Sequence, residues 1–285
     1  MEWERLLSIP VFAVLLQMGF VYYVTVFSFL DDWLGLRTSV GSLNAIIFTS
    51  LICYCLFSFF VCVLTDPGRV PPSYVPDVED SDVSDQETKQ PVMLPRKCDT
   101  CSNYKPPRCH HCRVCKRCVL RMNLRIVTSV QDHHCVWTNN CVGYWNYKAF
   151  FILVLSATLG SIYAMVIVVS SAFRRDWEST GHAFPKVFYV ICGTLMMSLS
   201  LILGSLLVRH IYLLSHNMTT IESYEATRAA WLARKSGQSY RNPFDLGFYK
   251  NVTLVLGPNM MKWLWPTAVG HLKDGISFRV TRDTL

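Results

Sequence analysis

Residues 149–173 read AFFILVLSATLGSIYAMVIVVSSAF, 25 residues without one charged side chain. As an α-helix this run extends about 37 Å, enough to cross a hydrocarbon core about 30 Å thick. Three further stretches have the same character: 6–30 (LLSIPVFAVLLQMGFVYYVTVFSFL), 43–64 (LNAIIFTSLICYCLFSFFVCVL) and 187–208 (VFYVICGTLMMSLSLILGSLLV). The chain is 51% hydrophobic, with a mean hydropathy of +0.27. Too little polar sequence remains to cover four such helices in water. The first stretch lacks a basic leader and is too long for a signal-peptide core, so it reads as a retained helix. The expected fold is an all-α polytopic membrane protein with four transmembrane helices, at about 6–30, 43–64, 149–173 and 187–208.

Lysine and arginine placement orients these helices. The segment 65–148 carries 12 Lys/Arg and the tail after the fourth helix about 10, whereas the loop 31–42 has only Arg37 and the loop 174–186 has Arg174, Arg175 and Lys186. Both termini and the long middle segment are therefore expected in the cytosol. The net charge of +7 then faces the anionic cytosolic leaflet, which accounts for it without nucleic acid.

Outward from the helices, the chain divides by composition. Residues 1–65 hold the first two helices. Residues 66–97, opening DPGRVPPSYVPDVEDSD, are rich in Pro and acid and read as a flexible linker. Residues 98–148 form a Cys/His-dense cytosolic domain, 149–214 hold helices three and four, and 215–285 form a cytosolic tail. In the tail, Thr219 and Glu222 fit a capping box and Gly237 a helix stop, which predicts a helix over about 220–236. The sequons at Asn217 and Asn251 are discounted, because a cytosolic tail does not meet the glycosylation enzyme.

Eight of the 12 cysteines lie between 98 and 141; Cys53, Cys55, Cys62 and Cys192 lie in the apolar stretches, where packing explains them. A dense cytosolic cluster points to metal rather than disulfides. The spacing is Cys98-x2-Cys101, then His111-Cys112-x2-Cys115-x2-Cys118, then His134 and Cys141. Structural zinc takes four Cys/His ligands, so these eight suffice for two ions. A segment with so few core residues needs metal to fold. Cys135, Cys109 and His110 are left over. A thiol beside imidazole and carboxylate is the arrangement of an activated nucleophile. Cys135 has Asp132 and His133 within three residues; Cys109 has only His110 and Arg108.

These motifs together resemble the DHHC-type protein S-acyltransferases (palmitoyltransferases). The resemblance rests on DHHC at 132–135, the Cys-rich segment between helices two and three, DPG at 66–68, TTIE at 219–222 and NPFDLGFYKN at 242–251, in one order along nearly the whole chain. The linker and the ARKSGQSY tail are most similar to plant members. The resemblance implies an enzyme that moves a long-chain fatty acyl group, palmitoyl, from acyl-CoA to protein cysteines through a thioester on Cys135. It implies His133 as general base, Asp132 as its orienting partner and His134 as a zinc ligand. It implies two structural zinc ions, one on Cys98, Cys101, His111 and Cys118, the other on Cys112, Cys115, His134 and Cys141. Arg108, Arg113, Lys116, Arg117 and Arg121 are candidate contacts for the coenzyme A phosphates, with a solvated or lipid-facing surface as the alternative. The implied partners are membrane-associated substrates with cytosolic cysteines, acyl-CoA and lipid, in the Golgi, another endomembrane or the plasma membrane. A RING-type ubiquitin ligase does not suit the Cys/His order and leaves Cys135 unexplained.

One feature departs from the family pattern. Thirteen residues separate Cys118 from Asp132, and removing NLRIVTSVQ (123–131) restores CVLRMDHHCVW, with four. Lengthening a loop this much costs about 1 kcal/mol in closure entropy. Structural zinc contributes roughly 10 kcal/mol or more per site. The zinc fold is therefore expected to tolerate the insertion. A displacement of about 1 Å at a catalytic group, however, costs about 100-fold in rate. The alternative to an active enzyme is an impaired isoform acting as a membrane-bound zinc interaction module.

Overall fold

A computed structural model describes residues 2–76, 96–122, 134–175, 177 and 183–278. Most of the linker (77–95), the inserted residues 123–131, and Asp132 and His133 lie outside the described residues. The chain forms two compact units: Met1–Val63 with Ala149–His210, and Leu64–Lys148 with Ile211–Leu285.

The first unit is helical. After a short α1 (Glu2–Leu6), α2 (Ile9–Tyr23) passes through a π-helical segment, Val24–Leu30, into α3 (Asp31–Leu34). The others are α4 (Ser39–Leu64), α5 (Tyr147–Arg174) and α6 (Ala183–Ser215). Among the described residues, four helical stretches are long and apolar enough to cross a membrane: Ile9–Leu34, Ser39–Leu64, Tyr147–Arg174 and Phe184–Ser215. Only 17% of the last is buried within the protein. An apolar helix so exposed would be untenable in water, and lipid is the solvent that suits it. The protein is a multi-pass membrane protein.

Aromatic side chains knit this unit. Tyr22 stacks on Phe48 at 6.1 Å and Phe48 on Tyr163 at 5.7 Å, while Tyr163 donates to Asn44 Oδ1 at 2.5 Å. Beyond the end of α5, Asp32 accepts from Arg175 at 2.6 Å and from Tyr189 at 2.8 Å. Hydrogen bonds of this kind satisfy polar groups that lipid cannot.

Among its described residues the second unit holds three antiparallel hairpins: β1 (Arg96–Lys97) with β2 (Tyr104–Lys105), β3 (His110–Cys112) with β4 (Arg117–Val119), and β5 (His134–Cys135) with β6 (Asn140–Cys141). The DPG turn locks onto them. Asp66 accepts from Gly68 N–H at 2.9 Å and from Arg117 at 2.8 Å, and Arg69 pairs with Val119. Glycine is required at 68, where φ is +110° and a Cβ would lie 2.9 Å from Trp145. The tail adds α7 (Thr220–Lys235) and α8 (Phe248–Leu256). The helix expected over about 220–236 is thus α7. Its capping box is complete: Thr219 accepts from Glu222 N–H, and Glu222 reaches back to Thr219 N–H at 2.7 Å.

Candidate active site and metal centres

The three hairpins share one local design. In each, a cysteine begins a tight turn whose fifth residue takes a left-handed conformation: Ser102 (φ 57°) after Cys98, Lys116 (φ 50°) after Cys112, and Asn139 (φ 43°) after Cys135. This winding aims backbone N–H groups at the first sulfur. Cys98 accepts from Thr100 and Cys101, Cys112 from Cys115 at 3.3 Å, and Cys135 from Trp137 and Thr138. The first two turns carry a second thiol at the fourth position, Cys101 and Cys115. The third carries Thr138, which is buried. Cys135 therefore occupies the first position of a metal-knuckle turn that has no second thiol.

Two quartets form from the remaining residues. The ligand atoms of Cys98, Cys101, His111 and Cys118 lie within 4.8 Å of one another, as do those of Cys112, Cys115, His134 and Cys141. His111 Nδ1 is 3.6, 3.2 and 3.9 Å from the sulfurs of Cys98, Cys101 and Cys118. His134 Nδ1 is 3.3 and 3.8 Å from those of Cys115 and Cys141. Tetrahedral coordination at Zn–S about 2.3 Å and Zn–N about 2.0 Å gives ligand–ligand edges of about 3.5–3.8 Å. The donor sets fit such an ion and leave no open position. His134 Nε2 faces Asn139 Oδ1 at 3.2 Å, the outer hydrogen bond that fixes a metal-binding imidazole. Both clusters could hold metal ions.

Protonation states point the same way. Hydrogen bonds from Cys115 and Cys141 hold Cys112 far below the usual thiol range. Burial pulls His134 down, but its hydrogen bonds to Cys112 and Cys115 prevail and raise it to about 9. A thiolate crowded by protonated neighbours is a site where a cation displaces protons.

The two spare thiols differ. Burial pushes Cys109 up to about 12, and it packs against Cys98 and Cys118. Burial also raises Cys135, opposed by the Thr138 and Trp137 N–H groups. Cys135 thus lies outside both quartets, one residue from the ligand candidate His134. Asp132 and His133 fall outside the described residues.

The basic run separates into three environments. Arg108 is buried, donating to both oxygens of Glu222 at 2.7 Å and to the Asn217 carbonyl at 2.9 Å, with its guanidinium over the rings of Phe244 and Phe278. Arg121 is buried too, bonded to Asn217 Oδ1 at 2.8 Å and pulled down to about 10 by burial and by Arg108. Arg117 binds Asp66. Arg113 and Lys116 are exposed.

Asn217 was passed over in the sequence except as a discounted sequon. It is a hub: its side chain receives both arginines and donates to the Phe244 carbonyl at 2.8 Å. The available signal was an Asn just past a helix end, where a left-handed residue (φ 48°) is needed. Lys148 was also missed, although a charge in the first turn of an apolar helix is a signal in itself. Asn251, within NPFDLGFYKN, is fully buried and donates to the Ser215 carbonyl at 2.7 Å and to Asp245 at 2.6 Å. The turn and helix there dock the tail onto the end of α6.

A family model described as DHHC palmitoyltransferase matches residues 92–227. "Probable protein S-acyltransferase 15" of Arabidopsis thaliana is 59% identical over 267 residues, covering 94% of this chain and 100% of that protein. "Probable protein S-acyltransferase 16" of the same plant is 46% identical over 280 residues, 98% of this chain and 94% of that protein. "Palmitoyltransferase ZDHHC15" of Rattus norvegicus is 31% identical over 306 residues, 96% of this chain and 83% of that protein. With the Cys/His hairpins, the four apolar helices and this similarity along its length, the chain belongs to the DHHC palmitoyltransferase family of protein S-acyltransferases.

Proposed function

We propose that this chain transfers a long-chain acyl group, palmitoyl, from acyl-CoA to cysteines of membrane-associated proteins. The Cys135 thiolate attacks the thioester carbonyl, the C–S bond to coenzyme A breaks, and the leaving thiolate takes the proton that His133 removed from Cys135. A substrate thiol then gives its proton to His133 and attacks the acyl-enzyme, and Cys135 leaves. Asp132 orients His133 and supports its imidazolium. The two quartets hold zinc, which fixes the hairpins and supplies no reactive position. The observation that carries this reading is that Cys135 sits in a donor-lined knuckle turn outside both quartets.

Arg113 and Lys116 are the accessible members of the basic run for coenzyme A phosphates. Arg108 and Arg121 are buried and Arg117 is half-buried. The positive-inside pattern supports cytosolic termini and a cytosolic Cys-rich domain, and family resemblance supports the Golgi or another endomembrane, or the plasma membrane.

A second reading rests on residues 123–131, which abut Asp132: the chain is an impaired isoform that keeps its zinc and serves as an interaction module. Hydroxylamine-sensitive acyl labelling separates the two. The chain as written, a deletion of 123–131, and Cys135→Ser in each are compared. Labelling of both lengths, lost with Cys135→Ser, is the result expected of an active enzyme. Labelling confined to the deleted form assigns this chain to the second reading. Labelling that survives Cys135→Ser in both overturns Cys135 as nucleophile.

A further inference from the structure

The turn after α8 carries large apolar side chains in the open. Met260, Met261, Leu264 and Trp265 are all exposed, Met261 at 91%. This is not a loose loop. Asn259 caps the short 3-10 turn Met260–Lys262 by accepting from Met261 N–H at 2.9 Å, and Trp263 Nε1 donates to the Gly257 carbonyl at 2.8 Å. Beneath it lies the buried ammonium of Lys148, which donates to the carbonyls of Leu256, Lys262 and Ala268 at 2.8, 2.8 and 3.0 Å. Three N–H groups meet three carbonyls, so the charge is satisfied without a counter-ion. The turn is thereby pinned with its methionines and Trp265 outward.

Lys148 is the second residue of α5, whose whole length is a membrane-crossing stretch. The pinned turn is therefore fastened to the first turn of that helix. Its composition suits that place. From 246 to 273 the chain has no Asp or Glu and carries Lys250, Lys262 and Lys273. Trp, Tyr and Lys beside exposed aliphatic side chains are the residues of a membrane interface. Exposed apolar clusters flanked by cations bind anionic lipid through both terms.

We propose that the Met260–Trp265 turn is an interfacial anchor, with Met260, Met261, Leu264 and Trp265 in the headgroup region of an anionic bilayer and Lys262 against lipid phosphates. The anchor would tie the tail to the membrane surface. It is independent of whether Cys135 is acylated.

The test uses the full chain in nanodiscs, with the photoreactive residue p-benzoylphenylalanine replacing Met261 in one sample and Gln238, exposed after α7, in another. Discs contain phosphatidylcholine alone or with phosphatidylserine, and adducts are read by mass spectrometry after irradiation. The expected result is phospholipid adducts at 261 well above those at 238, enriched in phosphatidylserine. Lys262→Glu is expected to lower the phosphatidylserine share by at least about fivefold, the effect of losing one cation near an anionic surface, to which the new carboxylate adds repulsion. Adducts at 261 no more frequent than at 238, or predominantly with another protein chain, overturn the anchor. Adducts that show no preference for phosphatidylserine and no response to Lys262→Glu overturn the anionic-lipid assignment.

Discussion

Glu222 shows how much one side chain of a short motif can carry. Its carboxylate caps α7 and accepts two hydrogen bonds from Arg108, whose side chain is 1% exposed. Burial alone would raise its pKa; Arg108, by charge and hydrogen bond, and Thr219 N–H hold it below the usual carboxylate value. Breaking a buried pair by removing one partner leaves a buried charge and costs about 3–5 kcal/mol. Glu222→Gln is therefore expected to lower the thermal unfolding temperature at neutral pH, measured on the detergent-solubilised protein. The sign of the pH dependence follows from the depressed pKa. The contribution is fully present above the unfolded value near 4.5 and is lost as pH falls through the folded value. The gap between wild type and Glu222→Gln should accordingly be wide at pH 7 and close as the pH falls below about 4.5. A gap that stays constant down to pH 3 contradicts the ion-pair account. The sequence disclosed only the local half of this arrangement. TTIE is a capping box by spacing, whereas the partner Arg108 lies 114 residues away, a pairing that no local pattern encodes.

At the scale of the element, the Cys/His hairpins explain why two candidate metal clusters were legible and the setting of the proposed nucleophile Cys135 was not. CxxC spacing is a local signature because two thiols three residues apart reach one ion only across a tight turn. The pattern therefore announced two sites. That Cys135 shares the same turn could not be read, because the fourth position holds Thr138 and the recurring left-handed residue is Ser, Lys or Asn rather than glycine. The knuckle design makes a quantitative prediction. Elemental analysis should find two zinc ions per purified chain. Cys115→Ala or Cys101→Ala should each lower this to about one, since a site left with three ligands loses much of the roughly 10 kcal/mol or more of binding energy. Cys135→Ala should leave two. A drop to one with Cys135→Ala would make Cys135 a ligand and end its role as a free nucleophile. Chelation should unfold the Cys-rich hairpins, whose buried cluster of Cys112, Val119, Met122 and Cys141 is small. The resulting exposure would appear as rapid amide exchange over the hairpins while the apolar helices stay protected.

At the scale of the whole molecule, the four crossing helices were the easiest feature to read, because lipid demands about 20 consecutive apolar residues and little else in a protein produces them. The ends of those helices were less legible. The fourth runs to Ser215, seven residues past the last uncharged stretch, taking Arg209 and His210 with it. Nor could composition show that the tail folds with the Cys-rich segment as one unit, since that union rests on Arg108, Arg121, Asn217 and Lys148, each a single residue in its own segment. The union nevertheless constrains topology. Leu64–Lys148 and Ile211–Leu285 share one folded body, so both must lie on the same side of the bilayer. With four crossings an even number separates them, and the N-terminus is expected on that side as well. By the positive-inside rule, the 12 Lys/Arg of the middle segment and about 10 of the tail support our proposal that this side is the cytosol. Epitope tags at residues 1 and 285 should therefore both be reached by antibody in cells whose plasma membrane alone has been opened. The protein should also carry no N-glycan at Asn217 or Asn251, both buried in this body. A tag that becomes accessible only after the internal membranes are dissolved would reverse the orientation. It would place Cys135 on the side away from cytosolic acyl-CoA, and the acyl-transfer reading would fall with it.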